Sequence, residues 1–292
     1  MLSGRITKGI GGLYTVATPD GTYRCNVRGI FRKQKLAPAI GDFVGIDEVD
    51  TDTREATIVR IEERKNSLVR PRVANVDQAV IVFAVANPAL NADLLDRFLL
   101  TAENSGVAPV ICFNKVDLLN AAGKANFDSA FCRVYEAIGY PVYRTCAATG
   151  EGLDALKAAL ACKVSVFAGP SGAGKSSLVN MILPGAQMET GELSRKIQRG
   201  KHTTRHAELL EAFPGSFIVD SPGFTTVSTD VFNHGNLPVL FREFAPYAGL
   251  CRFNDCKHLR EPDCAVKAQI GHTIAPARYE RYAALMLAVS SN

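Results

Sequence analysis

One glycine-rich stretch constrains this chain more than any other feature. Residues 169–177 read Gly-Pro-Ser-Gly-Ala-Gly-Lys-Ser-Ser and fit the pattern G-x-x-x-x-G-K-[ST]. The apolar run 164–168 precedes the stretch, and apolar residues at helical spacing follow it. Backbone N–H groups of such a loop surround the α- and β-phosphates, while Lys175 reaches the outer phosphates and Ser176 can bind Mg²⁺. A Gly-rich strand-to-helix turn is the alternative, but the flanking patterns favour a nucleotide phosphate site.

The residues predicted to contact the phosphates form one continuous run. They are Gly169, Pro170, Ser171, Gly172, Ala173, Gly174, Lys175, Ser176 and Ser177.

A second motif, Asn-Lys-Val-Asp at residues 114–117, follows an apolar strand pattern that ends at Phe113. The Asp117 carboxylate can accept hydrogen bonds from N1–H and the exocyclic amine of guanine, a pair of donors that adenine lacks. The wrong base would leave a charge unsatisfied, which can give discrimination of roughly 10⁴-fold. We expect Asn114 to tie loops together and the Lys115 stem to lie over the base, with Val116 between them. The motif therefore predicts a guanine site.

The apolar strand pattern at residues 217–220 ends in Asp-Ser-Pro-Gly. Asp220 at this position would hold Mg²⁺ through water, and the Gly223 N–H would sense the γ-phosphate. An ordinary turn after a strand is the alternative interpretation. Because this pattern follows the phosphate loop in the sequence, the functional interpretation is favoured.

The polar and basic segment 191–205 lies between these motifs and is expected to respond to nucleotide. Thr203 or Thr204 could complete the Mg²⁺ shell, and the sequence does not distinguish them. Phe224 follows Gly223 where many signalling GTPases carry a glutamine that orients water, so slow intrinsic hydrolysis is expected. His202 is the candidate catalytic residue, although a solvated loop histidine is the alternative.

From about residue 73, strand patterns alternate with amphipathic helix patterns, which predicts a parallel sheet with helices on both faces. The strands are predicted at 78–85, 107–113, 140–145 and 164–168, and the helices at 93–104, 127–138 and 153–160.

Residues 1–72 instead carry about five short strand patterns broken by turn signals, which predicts an OB-like β-barrel. This segment has thirteen Lys and Arg against nine Asp and Glu, an excess equal to the net charge of +4 of the whole chain. Basic residues fall between its strands and could contact RNA, or could form a solvated loop. They are Arg28, Arg32, Lys33 and Lys35.

The C-terminal segment carries helix patterns at 239–244 and 277–287, with a Cys/His cluster between them. The spacing Cys251-x4-Cys256-x-His258-x5-Cys264 offers three thiolates and one imidazole, a full tetrahedral set for one structural Zn²⁺ ion. Disulfides are the alternative, which the odd thiol count and a reducing compartment disfavour. The predicted domains are therefore an OB-like barrel at 1–72, an α/β domain at 73–227 and a mainly helical zinc-binding domain at 228–292.

The 292-residue sequence contains no apolar run of eighteen residues and no basic-then-apolar leader at its start. A membrane span is therefore not expected, and cytoplasmic residence is.

The motifs together resemble the RsgA family, circularly permuted GTPases that assist maturation of the small ribosomal subunit. The resemblance rests on the four motifs above, including Gly-Lys-His-Thr-Thr-Arg at 200–205, and on their order, because the base-reading motif precedes the phosphate loop. Cys146 and Ala147 stand where such proteins often have Ser-Ala, so a backbone contact to the base is expected there.

The resemblance implies a monomeric GTP hydrolase that uses Mg²⁺ with GTP, has low intrinsic activity and is stimulated by the small ribosomal subunit. It also implies one Zn²⁺ ion, and contacts from the two outer domains to 16S rRNA. A P-loop kinase or ATPase is the competing enzyme interpretation. An RNA-binding module that uses GTP only as a structural ligand is the competing interpretation without catalysis.

Overall fold

The computed structural model describes residues 2–28, 31, 37–50, 52–68, 72–183, 207–224 and 232–289. Several predicted residues lie outside these ranges: Arg32, Lys33, Lys35, His202, Thr203 and Thr204.

The first described strands form a closed barrel. They are β1 (Leu2–Ile10), β2 (Leu13–Thr18), β3 (Gly21–Val27), β4 (Phe43–Asp50) and β5 (Glu55–Ile61). They pair in the order β1-β2-β3-β5-β4, and β4 pairs back onto β1, which closes the barrel. Alternate residues such as Tyr23 and Cys25 point inward and are buried, which is the period of a sheet with one covered face. The predicted OB-like barrel is confirmed, although β1 has too few apolar residues to be recognised from its pattern.

The central segment alternates strands and helices after two short strands. In chain order it contains β6 (Ser67–Leu68), β7 (Val73–Ala74), β8 (Gln78–Ala84), α1 (Ala92–Asn104), β9 (Ala108–Asn114), α2 (Ala121–Phe127), α3 (Arg133–Ala137), β10 (Val142–Arg144), α4 (Leu153–Leu160), β11 (Val164–Ala168), α5 (Lys175–Ile182), β12 (Glu208–Phe213) and β13 (Ser216–Phe224).

The central sheet has the order β10-β9-β8-β11-β13-β12. Its first five strands are parallel, which confirms the parallel sheet predicted from the strands at 78–168, while β12, a strand that the sequence did not predict, runs antiparallel to β13. A hairpin turn of two residues joins β12 to β13, too short for the crossover that a parallel pair needs. Helix α1 packs on one face through Leu95 and Leu99, and α4 and α5 pack on the other through Leu156 and Leu178. Helices on both faces are thus confirmed.

Some predicted boundaries differ from the structure. The helix predicted at 127–138 begins at Ala121, because the Asn120 side chain caps it by accepting from Gly123 N–H at 2.8 Å. A π-helical turn at Asp128–Cys132 connects α2 to α3. The strand predicted at 140–145 is limited to Val142–Arg144.

The barrel and the central sheet are continuous. Lys8 of β1 pairs with Glu208 of β12, and this contact joins the two into an eleven-stranded sheet within the described residues. The barrel strand β1 therefore pairs with the edge strand β12 of the central sheet, and β12 lies beside β13.

The C-terminal segment contains α6 (Leu237–Leu240) and α7 (Pro276–Val289). The helix predicted at 239–244 is instead interrupted at Phe241, whose backbone is extended, and continues as one 3₁₀ turn at Arg242–Phe244. Phe241, Phe244 and Tyr282 form a buried aromatic cluster. Leu100 of α1 completes this core, so the segment relies on the central domain for part of its packing. Within the described ranges, no helix has the length and apolarity needed to cross a membrane.

Candidate nucleotide and metal sites

The glycine-rich loop lies between β11 and α5, at the carboxyl edge of the parallel strands. Gly169, Gly172 and Gly174 have φ angles of 131°, 78° and 91°, a region that other residues rarely adopt. A Cβ on Gly169 would lie 2.1 Å from the Val82 carbonyl oxygen, and one on Gly174 would lie 2.2 Å from Asn114 Nδ2. The backbone of this loop is therefore pressed against the ends of β8 and β9, which only glycine permits.

Lys175 begins α5 and folds back over the loop. Its Nζ donates to the carbonyl oxygens of Gly169 at 2.8 Å and Pro170 at 2.7 Å. Burial lowers the pKa of Lys175. Ser176, the predicted Mg²⁺ ligand, is half-buried in the first turn of the same helix. The loop, the ammonium and the hydroxyl thus form one compact group.

Asn114 connects the phosphate loop to the base-reading motif. It is 1% exposed, and its Nδ2 donates to the Ala173 carbonyl oxygen at 3.0 Å. Its Oδ1 accepts from Ala147 N–H at 3.2 Å and from the Thr145 hydroxyl at 3.3 Å. One buried amide therefore ties together three loops that are far apart in the sequence, as expected for Asn114.

A cavity of about 340 Å³ opens beside the phosphate loop. Asp117 is exposed at this cavity, whose wall also includes Gly174 and Ser177 of the loop region. The remaining lining residues are Asn114, Lys115, Leu118, Cys146, Ala147 and Ala148. Asp117 and the phosphate loop thus face one shared cavity, despite their reversed order in the chain.

Two backbone features shape the base-reading motif. Lys115 adopts a left-handed conformation with φ of 64°, and its Nζ donates to the Asn87 carbonyl oxygen. Val116 is buried, and its N–H donates to the Thr145 carbonyl oxygen at 3.2 Å. The motif therefore turns sharply at Lys115, which leaves Asp117 at the cavity while Val116 anchors the turn.

Asp220 is the middle residue of β13, which runs parallel to β11, and Gly223 follows on the same strand. Burial raises the pKa of Asp220, and the charge of Glu208 on β12 raises it further. Two carboxylates thus share this part of the sheet. The predictions for Thr203, Thr204 and His202 fall outside the described residues and stay untested.

The predicted metal cluster is assembled in the C-terminal segment. The ligand atoms of Cys251, Cys256, His258 and Cys264 all lie within 4.8 Å of one another. His258 Nδ1 is 3.6 Å from Cys251 Sγ and 3.4 Å from Cys264 Sγ, and these two sulfurs are 3.9 Å apart. A tetrahedral ion with metal–sulfur bonds of about 2.3 Å requires sulfur separations of about 3.8 Å. The donor set fits a four-coordinate metal ion, and its three cysteines are free thiols.

The cluster is supported by aromatic residues of the helical core. The hydroxyls of Tyr279 and Tyr282, both on α7, donate to the carbonyl oxygens of His258 and Lys257 at 2.7 and 2.5 Å. The Phe244 ring packs edge-on against the His258 imidazole, with centroids 5.7 Å apart. Burial lowers the pKa of His258, which favours the neutral form that binds metals. Metal binding would therefore be linked to the packing of α7.

Comparison with known proteins identifies relatives over nearly the whole chain. A family model described as RsgA GTPase matches residues 61–230, and one described as RsgA N-terminal domain matches residues 3–58. The chain is 45% identical over 286 residues to the small ribosomal subunit biogenesis GTPase RsgA of Caldanaerobacter subterraneus subsp. tengcongensis, covering 98% of this chain and 95% of the relative. It is 46% identical to the protein of that name from Geobacillus thermodenitrificans, covering 97% and 95%.

Two solved structures share its fold. The crystal structure of YloQ, described as a circularly permuted GTPase, has a TM-score of 0.86 at 34% identity and covers 100% of this chain and 96% of that one. The crystal structure of YjeQ from Thermotoga maritima has a TM-score of 0.87 at 33% identity, with coverage of 100% and 99%.

No sequence motif predicted that Glu208 would lie opposite Asp220. Its place opposite Asp220 depends on the register of two strands, and its contact with Lys8 depends on a strand about 200 residues earlier. No local motif reports such a pairing.

Proposed function

Because this chain belongs to the RsgA GTPase family, we propose that it hydrolyses GTP while assisting biogenesis of the small ribosomal subunit, the process for which its relatives are named. One observation carries the nucleotide part of this proposal. Asn114 is buried and bonded to Ala173 of the phosphate loop, so that Asp117 and Gly174 line the same cavity. A base held by Asp117 would then have its phosphates at the loop.

Different residues would bind the phosphates, the base and the Mg²⁺ ion of the nucleotide. The run 169–177 would hold the phosphates through backbone N–H groups and Lys175, since unpaired donors at a helix start favour anions. Asp117 would read the guanine edge, with Ala147 N–H and the Cys146 backbone beside the base. Ser176 and Asp220 would hold Mg²⁺, which when bound with GTP neutralises charge on the β- and γ-phosphate oxygens.

The hydrolytic step would depend on residues of the segment between α5 and β12. We assign His202 the role of water activation, because Phe224 offers no polar group at the position after Gly223. Thr203 or Thr204 would bind the Mg²⁺ ion, and Gly223 would contact the γ-phosphate. Turnover of His202→Ala should fall at least tenfold, both alone and with small subunits, and turnover equal to wild type would remove His202 from this role.

The Cys/His cluster would hold one structural Zn²⁺ ion. Three thiolates and one imidazole complete a tetrahedral shell and leave no position for water or substrate. This donor set supports a structural role in the C-terminal domain.

The partner assignment follows the family and the charge of the barrel. We propose domains at 1–72, 73–227 and 228–292, with the outer two contacting 16S rRNA of the small subunit. The Lys and Arg excess of residues 1–72 supports the assignment for the barrel, because phosphate contacts favour basic surfaces, and the assignment for residues 228–292 follows the family alone. The protein would act in the cytoplasm as a monomer.

The test is GTP turnover by the full chain with and without purified small ribosomal subunits. The proposal predicts slow phosphate release that rises at least tenfold with subunits. A preference for ATP in binding would favour the P-loop kinase or ATPase. Absence of phosphate release even with subunits would favour GTP as a structural ligand of an RNA-binding module.

A further inference from the structure

Three charged residues form one row across the junction between the barrel and the central sheet. Lys8 of β1 is directly opposite Glu208 of β12, and Glu208 is directly opposite Asp220 of β13. Residues directly opposite each other in antiparallel strands share a face of the sheet, with Cβ atoms about 4.5–5.5 Å apart. One face therefore presents a cation, an anion and a second anion in sequence.

The outer two members of the row have opposite effects on Glu208. Lys8 Nζ lies 2.7 Å from Glu208 Oε2, and the two side chains are 42% and 33% exposed. Like charges directly opposite on a sheet destabilise it, so the Glu208–Asp220 pair is unfavourable by itself. The positive charge of Lys8, which lies on the barrel side of Glu208, offsets this repulsion. Such a pair of carboxylates is suited to a cation that arrives on the Asp220 side.

A second contact fixes β1 against the same strands. The Arg5 guanidinium lies 4.2 Å from the centre of the Phe43 ring of β4 and 5.6 Å from that of Phe217. Phe217 is on β13, three residues before Asp220. The barrel strand is thus held to β12 by an ion pair and to β13 by a cation–π contact.

We propose that Glu208 is a positioning residue for the nucleotide-bound Mg²⁺ ion, and that Lys8 of the barrel holds its carboxylate in place. Mg²⁺ keeps several water ligands and is bound through one or two carboxylates together with phosphate oxygens. Glu208 beside Asp220 would accept hydrogen bonds from those waters. This inference rests on the proposed function, because it takes Asp220 as the Mg²⁺-side carboxylate of a guanine nucleotide site.

The test is the GDP affinity of the full chain, measured with Mg²⁺ and with EDTA. Glu208→Gln should lose about fivefold of the gain that Mg²⁺ provides, since removing one charge near a divalent ion changes its energy by about 1 kcal/mol in a solvent-exposed site. Its affinity in EDTA should match wild type. Lys8→Met should change the Mg²⁺-dependent gain in the same direction by about two- to threefold, and Lys8→Arg, which keeps the ion pair, should restore it.

Lys65→Met is the matched control. Lys65 also pairs across this junction, at 3.3 Å from Asp77, but Asp77 directly precedes β8 and accepts from the N–H of Val164 at the start of β11. This is the edge of the sheet opposite the phosphate loop. Lys65→Met should therefore bind GDP as wild type does in both conditions.

Three outcomes would overturn the inference. Equal losses in Mg²⁺ and in EDTA for Glu208→Gln would show a purely structural role, and equal effects of Lys8→Met and Lys65→Met would show a general weakening of the junction. If wild type bound GDP equally with and without Mg²⁺, the inference would fail as well. The proposed function would remain separately testable by GTP turnover, and thermal unfolding of each variant reports whether it folds.

Discussion

At the scale of single residues, the site depends on how Asn114 and Gly174 fit together. A Cβ on Gly174 would overlap the Asn114 amide, and that amide bonds the phosphate loop at Ala173. The two motifs are separated by more than fifty residues and occur in reversed order, yet a hydrogen bond of 3.0 Å joins them. A buried amide with three partners is costly to leave half-satisfied, so its removal should be felt by the whole site.

Asn114→Ala tests this contact between the base-reading motif and the phosphate loop. The variant leaves the Ala173 carbonyl and the Ala147 N–H without partners, which should cost about 1–3 kcal/mol of unfolding free energy. GTP affinity should fall at least tenfold, because the loop and the base cavity lose their common support. Urea unfolding and calorimetric titration with GTP measure the two effects.

The control for this variant is Asn120→Ala, which removes the cap of α2 at a residue that does not line the cavity. It should cost about 1 kcal/mol of stability and leave GTP affinity unchanged. Unaltered GTP binding by Asn114→Ala would contradict the claim that Asn114 supports both the phosphate loop and the base cavity.

At the scale of elements, the C-terminal helices are attached to α1 by a buried ion network. Arg278 of α7 is fully buried, and its Nε donates to Glu243 at 2.7 Å while its Nη1 contacts Asp96 of α1. Arg281 also contacts Asp96. Burial of several charges is tolerated only when each is paired, so α1 and α7 hold a fixed relative position.

Arg278→Met should destabilise the protein by about 3–5 kcal/mol, because Glu243 would remain buried without its cation and Asp96 would keep only the cation of Arg281. Thermal or urea unfolding measures the change. Arg252→Met is the matched control, since Arg252 pairs with Asp263 at 3.0 Å on the surface, where such a pair contributes up to about 1 kcal/mol. If the two variants lost the same free energy of unfolding, the buried ion network would stabilise the protein no more than the surface pair does.

Metal removal tests the Cys/His cluster. The purified protein should contain one zinc ion per chain by metal analysis, and a strong chelator should lower its melting temperature, because the cluster loop is bonded to Tyr279 and Tyr282 of α7. Cys256→Ser should show the same loss. Cys162→Ser changes an exposed thiol outside the cluster and should behave as wild type. A full-length protein free of metal and equally stable would contradict a structural ion.

The sequence predicts a functional site where the chemistry requires particular side chains within a short stretch. The phosphate loop, the Asn114–Asp117 motif and the ligand spacing at Cys251 were recognisable because each requires particular side chains at short intervals. Strand β12 and the row that includes Glu208 were not, since strand register is set by contacts between distant segments. The early start of α2 at Ala121 does not follow from an apolar stripe, because the cap at Asn120 determines it.

At the scale of the whole molecule, the barrel and the central domain share one sheet. Five barrel strands, the β12–β13 hairpin and the parallel strands follow one another without a break in the described residues. A displacement of β1 can therefore reach the strand that carries Asp220, both through the pairing of Lys8 with Glu208 and through the contact of Arg5 with Phe217. Any ligand that binds the barrel and shifts β1 would therefore be coupled to the nucleotide site, since linked sites affect each other reciprocally.

The central claim is that Asp117 and Lys175 act on one guanine nucleotide, and calorimetry with Asp117→Asn tests it most directly. Wild type should bind GTP far more tightly than ATP or xanthosine triphosphate. In Asp117→Asn, GTP affinity should fall roughly 10²-fold or more, while xanthosine triphosphate should bind better than GTP, because the amide can donate to the carbonyl that replaces the guanine amine. Tighter binding of ATP than GTP by wild type, or unchanged GTP affinity in the variant, would contradict the claim.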